Sequence, residues 1–67
     1  MKTNEHDDDD RLWSVTDVAR YLGVSKNTVY YWRSEGLGPR SRRIGKHVRY
    51  RREDVIAWVD AQPERVA

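Results

Sequence analysis

The chain has 67 residues, no cysteine and a net charge of +2 at pH 7. So short a chain predicts one small domain with a thin core and no room for the deep pocket of an enzyme. The lack of cysteine excludes disulfides, thiolate nucleophiles and cysteine metal sites, and it favours a reducing cytoplasm. The two histidines, His6 and His47, are far apart in sequence, so we expect no catalysis, no bound metal and no cofactor. No apolar run is long enough to predict a membrane span.

Charge is distributed unevenly along the chain. The first ten residues carry one lysine against five acids and end in the run Asp7–Asp10, which predicts a disordered acidic leader over residues 1–10. The rest carries twelve Lys or Arg against six Asp or Glu, and the stretch Arg40–Arg52 has seven basic residues and no acid. Such a concentration of positive charge is typical of nucleic-acid-binding domains. We expect the folded domain over residues 11–62 and a flexible tail over residues 63–67.

Two short helices joined by a tight turn are predicted within residues 15–37. Thr16 is the predicted N-cap of the first helix, and Gly23 supplies its stop, because glycine adopts the left-handed conformation most readily. Ser25 caps the second helix, and Gly36 ends it. The segment just before the first helix predicts either a strand of one to three residues or a hydrophobic staple. The apolar positions of the first helix share one face: Val18, Ala19 and Leu22.

The second helix has an apolar side and a polar side. Val29 and Trp32 define its inner face at 100° per residue, and Asn27, Tyr31 and Ser34 lie nearly opposite. Amide, hydroxyl and phenol groups suit base edges and phosphates, so this face is the predicted DNA-reading surface. Its candidate residues are Ser25, Lys26, Asn27, Thr28, Tyr30, Tyr31 and Ser34.

A basic β-hairpin is predicted after the break at Gly36–Pro39, where we expect Leu37 to fold back onto the core. Two registers compete, one with a two-residue Gly45-Lys46 turn and one with a three-residue loop over residues 45–47. We favour the three-residue loop because it places Ile44, Val48 and Tyr50 on an inner face and Arg43, Arg49 and Arg51 on an outer one. Arg42 then falls at the edge of the inner face. The candidate DNA contacts of the hairpin and its flanks are Arg20, Arg40, Arg43, Lys46, His47, Arg49 and Arg51.

A third helix follows, with Glu53 and Asp54 in its first turn and Pro63 after its end. Its inner positions are predicted from their spacing: Val55, Trp58 and Val59, with Ile56 flanking. We therefore predict an α+β fold, a small winged helix-turn-helix domain with two helices joined by a tight turn, a basic hairpin wing and a third helix. Domains of this kind bind double-stranded DNA, which is the predicted function.

The chain resembles the small excisionase-like helix-turn-helix family, which is related to the MerR-type DNA-binding domain. The resemblance spans residues 12–61, and its most specific parts are Val15-Thr16-Asp17-Val18-Ala19, Leu22-Gly23-Val24-Ser25, Thr28-Val29-Tyr30 with Trp32, and Ile44-Gly45 running to Asp54-Val55-Ile56-Ala57-Trp58. Members of the family often have arginine where this chain has Tyr31. MerR regulators add a coiled-coil helix and an effector domain, and we expect neither within 67 residues.

The resemblance implies a specific role. Phage members of the family are excisionases, also called recombination directionality factors, so the protein is expected to bind tandem sites, bend DNA and direct a tyrosine-type integrase toward excision. Neighbouring copies on DNA would contact one another, and the location would be the cytoplasm of a bacterial host. Two alternatives remain from the sequence: a small transcriptional regulator of the same family, and a protein-interaction module of antitoxin type that uses the exposed aromatic residues.

Overall fold

The computed structural model describes residues 11–64, so the acidic leader and residues 65–67 of the predicted tail lie outside the described part. Three helices and a two-stranded antiparallel sheet follow one another along the chain. Their bounds are α1 Val15–Leu22, α2 Lys26–Ser34, β1 Ser41–Ile44, β2 His47–Tyr50 and α3 Arg52–Asp60. The predicted α+β winged helix-turn-helix is confirmed. Over residues 11–64, no helix is long and apolar enough to cross a membrane.

A capping box opens α1. The Asp17 amide donates to Ser14 Oγ at 3.2 Å, and the Ser14 amide donates to Asp17 Oδ2 at 2.9 Å. The predicted cap at Thr16 is therefore wrong, because the cap must precede the first helical residue and Val15 is already helical. Thr16 instead lies inside the first turn with its side chain exposed.

Left-handed glycines end both helices of the helix-turn-helix unit, as predicted. Gly23 and Gly36 each have φ +74°. The next amide in each case, that of Val24 and that of Leu37, donates back to the carbonyl five residues earlier, at 3.0 and 2.7 Å. These bonds satisfy carbonyls that a helix end leaves without partners, and the short turn between α1 and α2 follows from them.

The chain after α2 packs differently from the prediction. Leu37 is 55% exposed, so the expected fold-back onto the core is wrong. Gly36 and Gly38 both have positive φ, and the reversal they produce turns Leu37 toward solvent. Gly38 takes the inner position, where an added Cβ would lie only 3.0 Å from Trp32 Cβ, and Pro39 is buried beside it.

The core is small and lies mainly between α1 and α2. Its buried members are Val15, Val18, Ala19, Val29, Tyr50 and Val55. Trp32 and Trp58 are half-buried, and their rings pack with centroids 5.1 Å apart. In α3, Val59 is 37% exposed whereas Ile56 is half-buried, so the helix is turned slightly from the predicted phase.

The wing has the two-residue turn, and the favoured three-residue loop is wrong. The paired residues are Ser41↔Tyr50, Arg42↔Arg49, Arg43↔Val48 and Ile44↔His47. Gly45 has φ +63°, the sign that the first position of both primed hairpin turns requires. The geometry of the turn therefore determines the register. The three-residue loop would have placed apolar side chains on one face of the hairpin and basic side chains on the other.

The base of the wing is fixed by Trp13. Its amide donates to the Tyr50 carbonyl at 2.8 Å, and the Tyr50 amide donates to the Trp13 carbonyl at 2.9 Å. This single antiparallel bridge is the one-residue form of the predicted short strand. Because the Tyr50 side chain is 2% exposed, the bridge also fixes which face of the hairpin meets the core.

The register exchanges the faces of several wing residues, since cross-strand partners share a face and neighbours alternate. Arg43 shares the inner face with Val48 and Tyr50, so its predicted outward pairing with Arg49 is wrong. Ile44, predicted inward, is 49% exposed on the outer face. Arg42, predicted at the inner edge, lies opposite Arg49 on that same outer face.

Candidate nucleic-acid interface

Four of the six exposed residues of α2 are predicted DNA contacts whose side chains make no hydrogen bond to a described residue. Lys26 and Asn27 are exposed in its first turn, and Tyr30 and Tyr31 are 53% and 59% exposed. Because the N-terminal residues of a recognition helix contact base edges in known motifs, Asn27 has the position and the amide needed to pair with an adenine edge.

Three other candidates on α2 already use their hydroxyls within the protein. Ser25 caps the helix by accepting the Thr28 amide at 3.2 Å, and the two hydroxyls lie 3.0 Å apart. Ser34 Oγ donates to the Tyr31 carbonyl at 2.8 Å. These bonds stabilise the helix ends, so the exposed side chains of α2 that are free to meet a ligand are those of Lys26, Asn27, Tyr30, Tyr31 and Arg33.

The outer face of the wing combines positive charge with one apolar side chain. Arg42, His47 and Arg49 surround the exposed Ile44. The Arg42 and Arg49 side chains stand on directly opposite positions, an arrangement that is unfavourable without an anion between or beside them. Arg49 also donates from Nη1 to the Val48 carbonyl at 2.8 Å, which holds its guanidinium group close to the strand.

The remaining basic candidates are dispersed. Arg43 donates from Nε to the Gly45 carbonyl at 3.2 Å and so braces the turn from the inner side. Arg40 is exposed just before β1, and Arg51 is exposed as the N-cap residue of α3, with no side-chain cap bond. Arg20 borders a separate, largely apolar cleft beside Trp13 and Tyr21, and no residue of the wing lines that cleft. The structure therefore does not bring Arg20 together with the other candidates.

A cleft of about 300 Å³ joins the helix-turn-helix unit to the wing. Thr16 from the first turn of α1 lies on one side of the cleft, and Tyr30 from α2 lies on a second side. Lys46, His47 and Arg49 from the wing form the third side. We did not predict Thr16 as a surface residue of this cleft from the sequence, because it was assigned as a helix cap.

The side chains around this cleft carry net positive charge. No ion pair neutralises Lys46 or Arg49 among the residues that the structure describes. Behind the cleft, burial raises the pKa of the Tyr50 hydroxyl above its ordinary value of 10.0, and nearby Arg33 partly offsets that rise. Tyr50 is therefore neutral at physiological pH and adds no negative charge. Within residues 11–64, no three His, Cys, Asp or Glu side chains cluster as metal ligands.

An exposed polar helix beside a basic hairpin defines a winged helix-turn-helix protein of the DNA-binding class. The chain belongs to the helix-turn-helix domain family, whose model matches residues 14–63. This is a DNA-binding family, and families of this kind are typically not enzymes. No curated protein and no solved structure matched the chain significantly.

Proposed function

We propose that the protein is an accessory DNA-binding factor of the excisionase type, which binds double-stranded DNA in a sequence-specific manner. The observation that carries this proposal is the common cleft: Tyr30 of α2 and the basic residues of the wing border the same open space. A duplex approaching from that side would meet both elements at once, with α2 in the major groove and the wing along the adjacent backbone.

The two elements divide the work of recognition. Asn27 and Tyr31 on α2 have no side-chain bonds to other described side chains and can reach base edges. Lys46 at the turn, with Arg42 and Arg49 behind it, supplies charge for phosphates, which carry no sequence information. Arg40 and Arg51, at the two ends of the wing, extend the basic surface.

The excisionase role requires DNA bending, and the exposed side chain of Ile44 supports this part of the proposal. This side chain is 49% exposed near the wing tip, and basic residues surround it on the outer face. Proteins that bend DNA through the minor groove often insert an apolar side chain between base steps and hold the flanking phosphates with basic residues. Ile44 fits the first role, and Arg42 beside it on the outer face fits the second.

The resemblance to the excisionase-like family supplies the biological setting: tandem sites at an attachment region, a tyrosine-type integrase as partner, neighbouring copies in contact on DNA, and the cytoplasm of a bacterial host. The test is footprinting on the attachment region of the element that encodes the protein, followed by a recombination assay with its integrase. We expect several evenly spaced protected sites and stimulation of excision. A single protected promoter site without an effect on recombination would instead indicate a small transcriptional regulator.

Duplex binding itself is tested by salt. If five or six basic side chains neutralise phosphates, a plot of log K against log salt should have a slope of about −5. A slope near zero, with weak binding, would reject the DNA-binding proposal and favour the protein-interaction module.

A further inference from the structure

Thr16 was predicted as a helix cap, but the structure places it on the surface. It follows the helix cap instead of forming it, and within residues 11–64 its hydroxyl makes no hydrogen bond. The side chain is exposed and borders the cleft between the helix-turn-helix unit and the wing. A hydroxyl group without a partner faces basic wing residues across an open cleft, an arrangement that suits an anionic ligand.

Tyr30 lies on another side of the same cleft. Its ring is 53% exposed, and its phenol makes no hydrogen bond to any described residue. The side chain lies near the buried Tyr50, at the junction of α2 with the wing, and not on the line from Asn27 to Ser34 that is farthest from the core. Its position therefore suits the DNA backbone better than the base edges.

Positive charge closes the third side. Lys46 is exposed at the turn, and Arg49 is half-buried with one guanidinium nitrogen bonded to the Val48 carbonyl. Asp17, the acid nearest to Thr16 in sequence, borders the cleft of Trp13 and Tyr21 instead, and its carboxylate is held by the Ser14 amide. Among residues 11–64, no acidic side chain lines the cleft: its lining is basic (Lys46, His47, Arg49), hydroxyl-bearing (Ser14, Thr16, Tyr30) or apolar (Val15, Val48).

We propose that this cleft seats a single phosphate of one DNA strand. The Thr16 and Tyr30 hydroxyls donate hydrogen bonds to its oxygens, and Lys46 and Arg49 neutralise its charge. The inference rests on the proposed DNA-binding function and deepens it, because one phosphate held by three chain segments fixes α2 and the wing relative to the same strand. Tyr30 is accordingly a backbone contact and not a base reader.

The first experiment compares hydroxyl-deleted variants on two short duplexes of unrelated sequence. Thr16→Val and Tyr30→Phe should each weaken binding roughly tenfold on both duplexes, the scale expected for a lost hydrogen bond to a charged group. Their salt slopes should equal that of the unaltered protein, because neither residue carries a charge. Thr16→Ser, which keeps a hydroxyl, and Tyr21→Phe, which removes one from the other cleft, should bind normally.

The second experiment shows whether the groups meet one phosphate. In a tight-binding duplex selected from a random-sequence library, each phosphate is replaced in turn by a neutral methylphosphonate. At one position, the affinity differences between the unaltered protein and both Thr16→Val and Tyr30→Phe should disappear together. Two results would overturn the single-phosphate site while leaving DNA binding intact. Either both variants bind as tightly as the unaltered protein, or their affinity differences disappear at two different phosphate positions. Failure of the unaltered protein to bind any duplex would instead overturn the proposed function.

Discussion

Of the six side chains in the core cluster of residues 11–64, α1 and α2 contribute four, whereas the wing contributes one, Tyr50. The helix-turn-helix unit is further held by a capping box at its start and by left-handed glycines at its helix ends. The wing is held at its base by Tyr50 and the Trp13 bridge, and beyond them it exposes charge. Stability and positive charge are therefore concentrated in different parts of the molecule, and the two parts should respond differently to substitution.

The largest effect should follow from removing the anchor of the wing. Tyr50→Ala deletes a fully buried aromatic ring and should lower the free energy of unfolding by about 3–5 kcal/mol, enough to unfold so small a domain. Thermal denaturation followed by circular dichroism measures the loss. Tyr31→Ala, at a ring that is 59% exposed, is the control and should melt almost normally. Similar melting of the two variants would mean that the wing contributes nothing to the core.

A pair of glycines compares the two regions directly. Gly23 and Gly45 both have positive φ, and an added Cβ would meet no atom within 4 Å at either, so alanine brings only backbone strain of roughly 1–2 kcal/mol. Gly23→Ala should lower the melting temperature, because α1 cannot relax without disturbing the core. Gly45→Ala should be relieved by fraying of the wing, so it should accelerate exchange of the Arg49 amide, which pairs with Arg42 across the hairpin, with little change in melting. Equal losses of melting temperature would show that the wing unfolds with the core.

The start of α1 offers a matched pair of hydroxyl residues. Ser14→Ala removes the capping side chain and should cost about 1 kcal/mol, whereas Thr16→Ala removes an exposed hydroxyl without a partner and should cost close to nothing. Urea denaturation of both variants distinguishes them. If Thr16→Ala were the more destabilising change, the cap would lie where the spacing of the sequence first indicated.

Local signals in the sequence were sufficient for the helix-turn-helix unit. Ser25, Gly23 and Gly36 act where their chemistry predicts, because caps and left-handed stops depend on neighbours only a few residues away. The Thr16 error came from a choice between two hydroxyl residues two positions apart, and the acid at Asp17 favours Ser14 through the capping box.

The wing could be predicted as an element but not in register. Periodicity favoured Ile44 inward, yet a hairpin this short follows its turn, and Gly45 adopts the two-residue form. Outward placement of Ile44 is possible because the core needs only Tyr50 and Val48 from this sheet. The cleft could not be predicted from the sequence, because its lining comes from three segments that are as much as 35 positions apart, from Ser14 to Arg49.

A smaller effect should appear at alkaline pH. Burial raises the pKa of Tyr50 in the folded protein above 10.0, so the folded state keeps this proton where the unfolded chain loses it. The contribution of Tyr50 to the free energy of unfolding is therefore fully present below pH 10, and it declines as pH rises through the pKa of the folded state. Tyr50→Phe should therefore make the alkaline loss of stability less steep, as judged by urea denaturation across that range. Tyr31→Phe, at an exposed phenol, should leave the steepness unchanged.

The central claim is that the wing supplies charge and α2 supplies sequence discrimination. It is tested most directly by salt titrations of Lys46→Ala and Asn27→Ala on a selected duplex and on its scrambled counterpart. Lys46→Ala should weaken binding to both duplexes alike and make the slope of log K against log salt shallower by about one unit. Asn27→Ala should leave the slope unchanged and reduce the preference for the selected duplex by roughly 1–3 kcal/mol. The reverse result, with sequence preference lost in Lys46→Ala and kept in Asn27→Ala, would contradict the claim.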